Sequence, residues 1–188
     1  MSTDSATKSE LIHLLDEAVK NMEMKGCCHA VKDALEHVVN SGKEFVEEAY
    51  MAPCADKYAR HLLYLDPKGR YSVLAMVWAS GQGTALHDHA GMWCVECVYR
   101  GKIAVTSYSC DKEEGDRYWF TKEHEIVAGV GEAGALIPPF DHHTIANPYE
   151  EKAVTIHVYG GEMTFSDVFV PDGDSYLKQR RQLSYTST

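Results

Sequence analysis

GQGTALHDHAGMWCVECVYRG, residues 81–101, is the stretch on which the fold turns. On an extended chain residues i and i+2 face the same way, so His87 and His89 can offer two imidazoles to one ion while Asp88 turns aside. A further histidine comes from PPFDHHTIAN, residues 138–147. Three imidazoles from two separate strands hold a transition metal on one face and leave its other positions open, the usual arrangement of catalytic metals. An HxH pair alone is also found as surface or satisfied core histidines. Here the pair is framed by Gly81 before it and Gly101 after it, while the second cluster has prolines ahead of its histidines and Asn147 behind them. Chance seldom supplies such a two-part pattern.

Outward from this segment, the chain from Tyr58 onward reads as short β-rich runs: YARHLLYLD, RYSVLAMVWA, MWCVECVYRG, KIAVTSYSC, RYWFTKE, HEIVAGVG, GALIPPF, KAVTIHVYGG and MTFSDVFVP. Turn formers such as Gly81, Gly101, Gly129 and Gly134 separate them. Many short strands with no alternating helices predict a mainly β protein, a sandwich or barrel. Ahead of them, Leu11, Ile12, Leu15 and Val19 mark a helix over 5–21, and Val31, Ala34, Leu35 and Val38 a second over 27–40. A short third helix is expected over 43–51. The predicted organisation is an N-terminal helical annex at 1–51, a β-barrel at 52–170 and a polar, loosely tied C-terminal tail at 171–188, together one structural domain.

The chain has 188 residues, enough for one sizeable core, and its 45% hydrophobic and 24% charged content is that of a folded globular protein. A net charge of −10 argues against nucleic acid or an anionic membrane surface as the main partner. No apolar run approaches the roughly 18 residues of a membrane span, and the first residues lack a basic-then-apolar leader pattern, so a cytoplasmic location is expected. Of the six cysteines only Cys94 and Cys97 have CxxC spacing, which predicts reduced thiols rather than a structural zinc site. Oligomeric state is left open between a monomer and a small homo-oligomer.

The first cluster resembles the first cupin motif, with Cys94 where that motif usually has Glu. The second is similar to the second cupin motif, with Phe140 in place of a Gly. This resemblance implies a cupin double-stranded β-barrel, or jelly roll, with a metal inside, to which the N-terminal α-helices read above are added. A narrower resemblance, over roughly residues 50–162, is to the thiol dioxygenases of the cysteine dioxygenase type I family, in particular its bacterial-type members. It is carried by the two histidine clusters, Tyr58-Ala59-Arg60, the Trp78 strand before a Gly-rich turn, Cys94, and Thr155-Ile156-His157-Val158-Tyr159. That family oxidises the sulfur of a small thiol to a sulfinic acid with Fe(II) and both atoms of dioxygen.

The resemblance implies that His87, His89 and His143 ligate Fe(II). His142 is the rival to His143, and the spacing to Asn147 favours His143. Arg60 matches the residue that holds the substrate carboxylate, a task suited to a planar guanidinium, with Tyr58 beside it to orient it or to pack. Tyr159, His157 and Cys94 match catalytic positions: Thr155, His157 and Tyr159 would form a hydrogen-bonded row supported by Trp78, and Cys94 stands where animal members form a thioether to the tyrosine. The substrate is divided between two readings. Arg60 and Cys94 point to L-cysteine, whereas Gly160-Gly161 is closer to enzymes of 3-mercaptopropionate, and mercaptosuccinate is a further candidate. The rivals from other classes are a cupin enzyme acting on a carbon substrate and a non-catalytic small-molecule-binding cupin.

Overall fold

The computed structural model describes residues 3–21 and 23–186. Two helices, α1 (Thr3–Ala18) and α2 (Met24–Asn40), precede eleven strands, all paired antiparallel. The strands are β1 (Ala59–Leu65), β2 (Ser72–Trp78), β3 (Leu86–His87), β4 (Cys94–Arg100), β5 (Lys102–Glu114), β6 (Arg117–Gly129), β7 (Ala133–Leu136), β8 (His143–Ala146), β9 (Ala153–Tyr159), β10 (Phe165–Asp172) and β11 (Ser175–Gln182). One sheet runs β1-β2-β9-β4-β7, and the other, β10-β11-β6-β5-β8-β3, closes on itself. The mainly β barrel with N-terminal helices expected for a cupin is the architecture found.

Strands β2, β4 and β9 are almost wholly buried, and the period of two explains how. Val73, Ala75 and Val77 of β2, Val95 and Cys97 of β4, and Ile156 and Val158 of β9 share one hydrophobic cluster with Leu11, Leu15, Val31, Leu35 and Val38 of the helices. The alternate residues, Leu74, Met76 and Trp78, Cys94 and Glu96, and Thr155, His157 and Tyr159, are left for the opposite face. Covered on both sides, these strands need side chains that tolerate burial throughout. The helices are therefore continuous with the sheet's core.

Three local expectations change. The third helix over 43–51 shrinks to a 3-10 turn, Glu48–Met51, because Phe45 and Val46 leave the helical path to be buried in the core. RYWFTKE and HEIVAGVG merge into β6, since nothing between Glu123 and His124 breaks an extended chain, and β6 forms a long hairpin with β5 across Gly115 at φ +63°. Gly134, expected in a turn, lies inside β7 opposite Glu96. Gly101 does turn the chain between β4 and β5, at φ +70°, where an added Cβ would meet the Lys152 carbonyl oxygen at 2.8 Å.

The segment 171–188, expected as a loose tail, is a correction of larger consequence. Its first half completes β10 and forms β11, which pairs along β10 from Phe165 to Asp172 and also joins β6. Leu183 and Tyr185 pack onto the cluster containing Cys94 and Tyr159. Composition alone hid this, because β11 is largely exposed towards its C-terminal end and its pairing with β10 and β6 needs few apolar residues. Residues 187 and 188 lie outside the described part.

Candidate metal centre

His87 of β3 and His143 of β8 are direct cross-strand partners, and His89 follows two residues on. Their rings lie with centroids 4.5 to 5.3 Å apart, and their donor nitrogens lie within 4.8 Å of one another. In each ring Nδ1 is already committed. Nδ1–H of His87 donates to the Ala85 carbonyl at 3.0 Å, that of His89 to Asp141 Oδ2 at 3.0 Å, and that of His143 to the Asp141 carbonyl at 3.1 Å. Such partners fix the tautomer and leave Nε2 as the lone-pair atom of each ring. Nε2 of His143 is buried and has no hydrogen-bond partner.

Burial, then the neighbouring His89, pulls the His87 imidazole down to about 3, and burial holds His143 well below the ordinary histidine value. Both are neutral at physiological pH, the form that binds metal. Three imidazoles with oriented lone pairs around a cavity of about 20 Å³, enough for an ion or one water, fit a transition metal. His142 turns the other way and packs against Phe120 and Phe169. Asn147 is fully buried and gives Nδ2–H bonds to the Trp78 and Glu151 carbonyls, while its own backbone carbonyl accepts from the Gly81 N–H. This ties the two sequence clusters together.

The sheet opposite contributes the expected row. Trp78 stacks on Tyr58 at 4.7 Å and donates from Nε1 to Thr155 Oγ1 at 2.9 Å; that oxygen is 2.8 Å from His157 Nε2. His157 Nδ1 is in turn 3.4 Å from the Tyr159 hydroxyl. Burial lowers the His157 value and raises that of Tyr159, so both are neutral. Cys94 and Tyr159 are cross-strand partners on β4 and β9.

Arg60, on β1, is 5% exposed and lines both the small cavity and a cleft of about 510 Å³ outside it. Its guanidinium donates to the carbonyls of Ser184 and Met163, each at 3.3 Å, and lies over Tyr185. Among the described residues no carboxylate pairs with it. The outer cleft also holds Tyr58, Lys57 and Arg181.

Two residues escaped the sequence motifs. Asp141 receives both the backbone N–H and Nδ1–H of His89; burial pushes its carboxyl up, but these hydrogen bonds win, leaving it lowered. Glu96, buried two residues beyond Cys94, brings Oε2 to 3.8 Å from His143 Nε2. Its signal was present: a lone acid in CVECVY, on the same strand parity as Cys94.

A β-barrel holding three histidines, each oriented through its Nδ1 hydrogen bond, defines a class of proteins built to hold a transition metal. This chain belongs to the cysteine dioxygenase type I family, whose profile matches residues 1–168. It is similar to cysteine dioxygenase type 1 of Homo sapiens, 22% identical over 104 residues, which is 55% of this chain and 50% of that one. The Rattus norvegicus protein is 21% identical over the same length. The chain thus spans about half the length of the relatives it matches. Among solved structures, TT1209 from Thermus thermophilus matches at 18% identity and TM-score 0.48, over 61% of this chain and 92% of its own. A Cupin 2 conserved barrel domain protein from Salinispora arenicola matches at 17% identity and TM-score 0.43, over 61% and 83%. No described helix is long and apolar enough to cross a membrane.

Proposed function

We propose that this chain is a non-haem Fe(II) thiol dioxygenase that converts a small carboxylate-bearing thiol, L-cysteine first, to its sulfinic acid. The observation that carries this reading is the pairing of a three-histidine face with a buried Arg60 that has no carboxylate of its own among the described residues. What Fe(II) supplies when bound is a Lewis acid that favours thiolate over thiol and a means of activating dioxygen. The residues do the rest. Arg60 holds the substrate carboxylate by charge-assisted hydrogen bonds, Tyr58 and Trp78 wall the inner cavity, and the Tyr159 hydroxyl, backed by His157 and Thr155, orients the thiol end. Both oxygen atoms end on sulfur, which gives up the four electrons that dioxygen takes, so no external reductant is required. Cys94 lies where a thioether to Tyr159 can form, and a crosslinked chain would weigh two hydrogens less than the sequence mass.

A second reading of the substrate is favoured by Lys57 and Arg181 in the outer cleft, which suit a further carboxylate as in mercaptosuccinate. Loaded anaerobically with Fe(II), the protein should consume oxygen and form sulfinate with L-cysteine faster than with 3-mercaptopropionate, mercaptosuccinate or cysteamine. Preference for mercaptosuccinate would reassign the substrate to the dicarboxylate. Absence of uptake with every thiol would overturn the dioxygenase reading and leave the carbon-substrate enzyme and the binding protein as the rivals.

A further inference from the structure

We propose that the cleft between β4, β5, β6 and β7 binds a small primary amine with an apolar body, its ammonium group held by Glu96. The cleft measures about 500 Å³, a size typical of small-molecule sites, and none of its lining residues borders the histidine cavity or the cleft outside Arg60. The inference therefore stands apart from the thiol reading. Buried Val98, Ile103 and Val105 and half-buried Leu136 form apolar walls, which Ile126 and Val127, both more than half exposed, extend to solvent. Of the lining residues two are acids, Glu96 and Glu132, and none is lysine or arginine. The cleft outside Arg60 has Lys57, Arg60 and Arg181 against Asp56, so the two clefts are of opposite sign.

Glu96 supplies the anchor. Its side chain is 8% exposed, and Oε2 is buried without a hydrogen-bond partner. His157 Nδ1 at 3.6 Å and His143 Nε2 at 3.8 Å lie beyond a good hydrogen bond, and among the described residues no lysine or arginine pairs with Glu96. A buried carboxylate without a cation is costly: burial pushes Glu96 up to about 8, a penalty that an ammonium group offsets by a charge-assisted hydrogen bond. Space beside it is kept by Gly134, its direct cross-strand partner inside β7. Cross-strand partners project to the same face, and an added Cβ at Gly134 would meet nothing within 4 Å. Nor is its φ left-handed, so the backbone does not demand glycine there. A glycine of this kind inside a strand is a common mark of close approach by a ligand.

The test titrates the full chain at neutral pH with benzylamine and with its uncharged counterpart benzyl alcohol, affinity being read by calorimetry. Benzylamine should bind once per chain, about 10- to 100-fold more tightly than benzyl alcohol, the margin of a charge-assisted bond. Glu96→Gln, which keeps size but not charge, should erase that margin by weakening the amine alone. Gly134→Leu leaves Glu96 intact and fills the space beside it, so it should abolish binding of both compounds. This second variant decides the matter should Glu96→Gln fail to fold by circular dichroism. Benzylamine that binds both variants as it binds the wild type is seated elsewhere, on a metal ion for instance, and the site is overturned. Loss in Gly134→Leu without loss in Glu96→Gln would leave a plain apolar pocket and overturn the role of Glu96. A wild type that binds neither compound, or both equally, overturns the proposal while the histidine centre and the thiol reading stand.

Discussion

At the scale of single residues, the site depends on where each imidazole sends its Nδ1 proton. Asp141 sets two of the three, through its carboxylate for His89 and its carbonyl for His143. Asp141→Asn removes the charge that orients His89, and metal affinity measured by calorimetry should fall about 10- to 100-fold. Asp141 was visible only as a letter in PPFDHH, because nothing local says which histidine a carboxylate will meet. Arg60 was better marked by its Tyr58-x-Arg60 context. Arg60→Ala should raise KM for carboxylate thiols by up to about 100-fold, the equivalent of about 3 kcal/mol for a lost charge-assisted bond, and leave cysteamine oxidation unaffected. Equal losses for cysteamine would show that Arg60 supports the fold rather than the substrate.

At the scale of elements, alternation does most of the positioning. Thr155, His157 and Tyr159 lie on one face of β9 because the strand period is two, and the amino-acid order alone makes this legible. That Cys94 and Tyr159 are cross-strand partners was implied by the family resemblance but by no local pattern, since register is set by strands distant in sequence. Where β1 turns into β2, Arg70 clamps Asp66 of the turn and Asp16 of α1, and Asp16 also accepts from Tyr71. The Arg70 hydrogen bond holds Asp66 down at about 2 against an ordinary 3.8, so its contribution is whole above pH 3.8 and is lost as pH falls through about 2. Arg70→Ala should lower the unfolding midpoint at neutral pH, and the gap from wild type should narrow between about pH 4 and pH 2. A constant gap would assign the loss to packing alone.

At the scale of the whole molecule, the C-terminus closes the site. Thr186 exchanges hydrogen bonds with the Arg60 backbone at 2.7 and 3.0 Å, Ser184 accepts from its guanidinium, and Leu183 packs beside Tyr159. Truncation after Gln182 should leave a folded barrel by circular dichroism yet raise KM for carboxylate thiols; unchanged kinetics would make the segment a bystander. Metal should stabilise the fold by mass action, so that Co(II) raises the melting temperature in step with its concentration over Kd and a chelator reverses it. The sequence by itself determined most of the strands, the shared face of His87 and His89, the β9 row and the family, because these follow from short-range periodicity and contiguous motifs. Only the tertiary structure decided that His143 and not His142 joins the cluster, that Asp141 and Glu96 border it, and that the C-terminal segment covers Arg60. Each of those depends on which distant strands pair and in what register, and the barrel fixes that only when it closes.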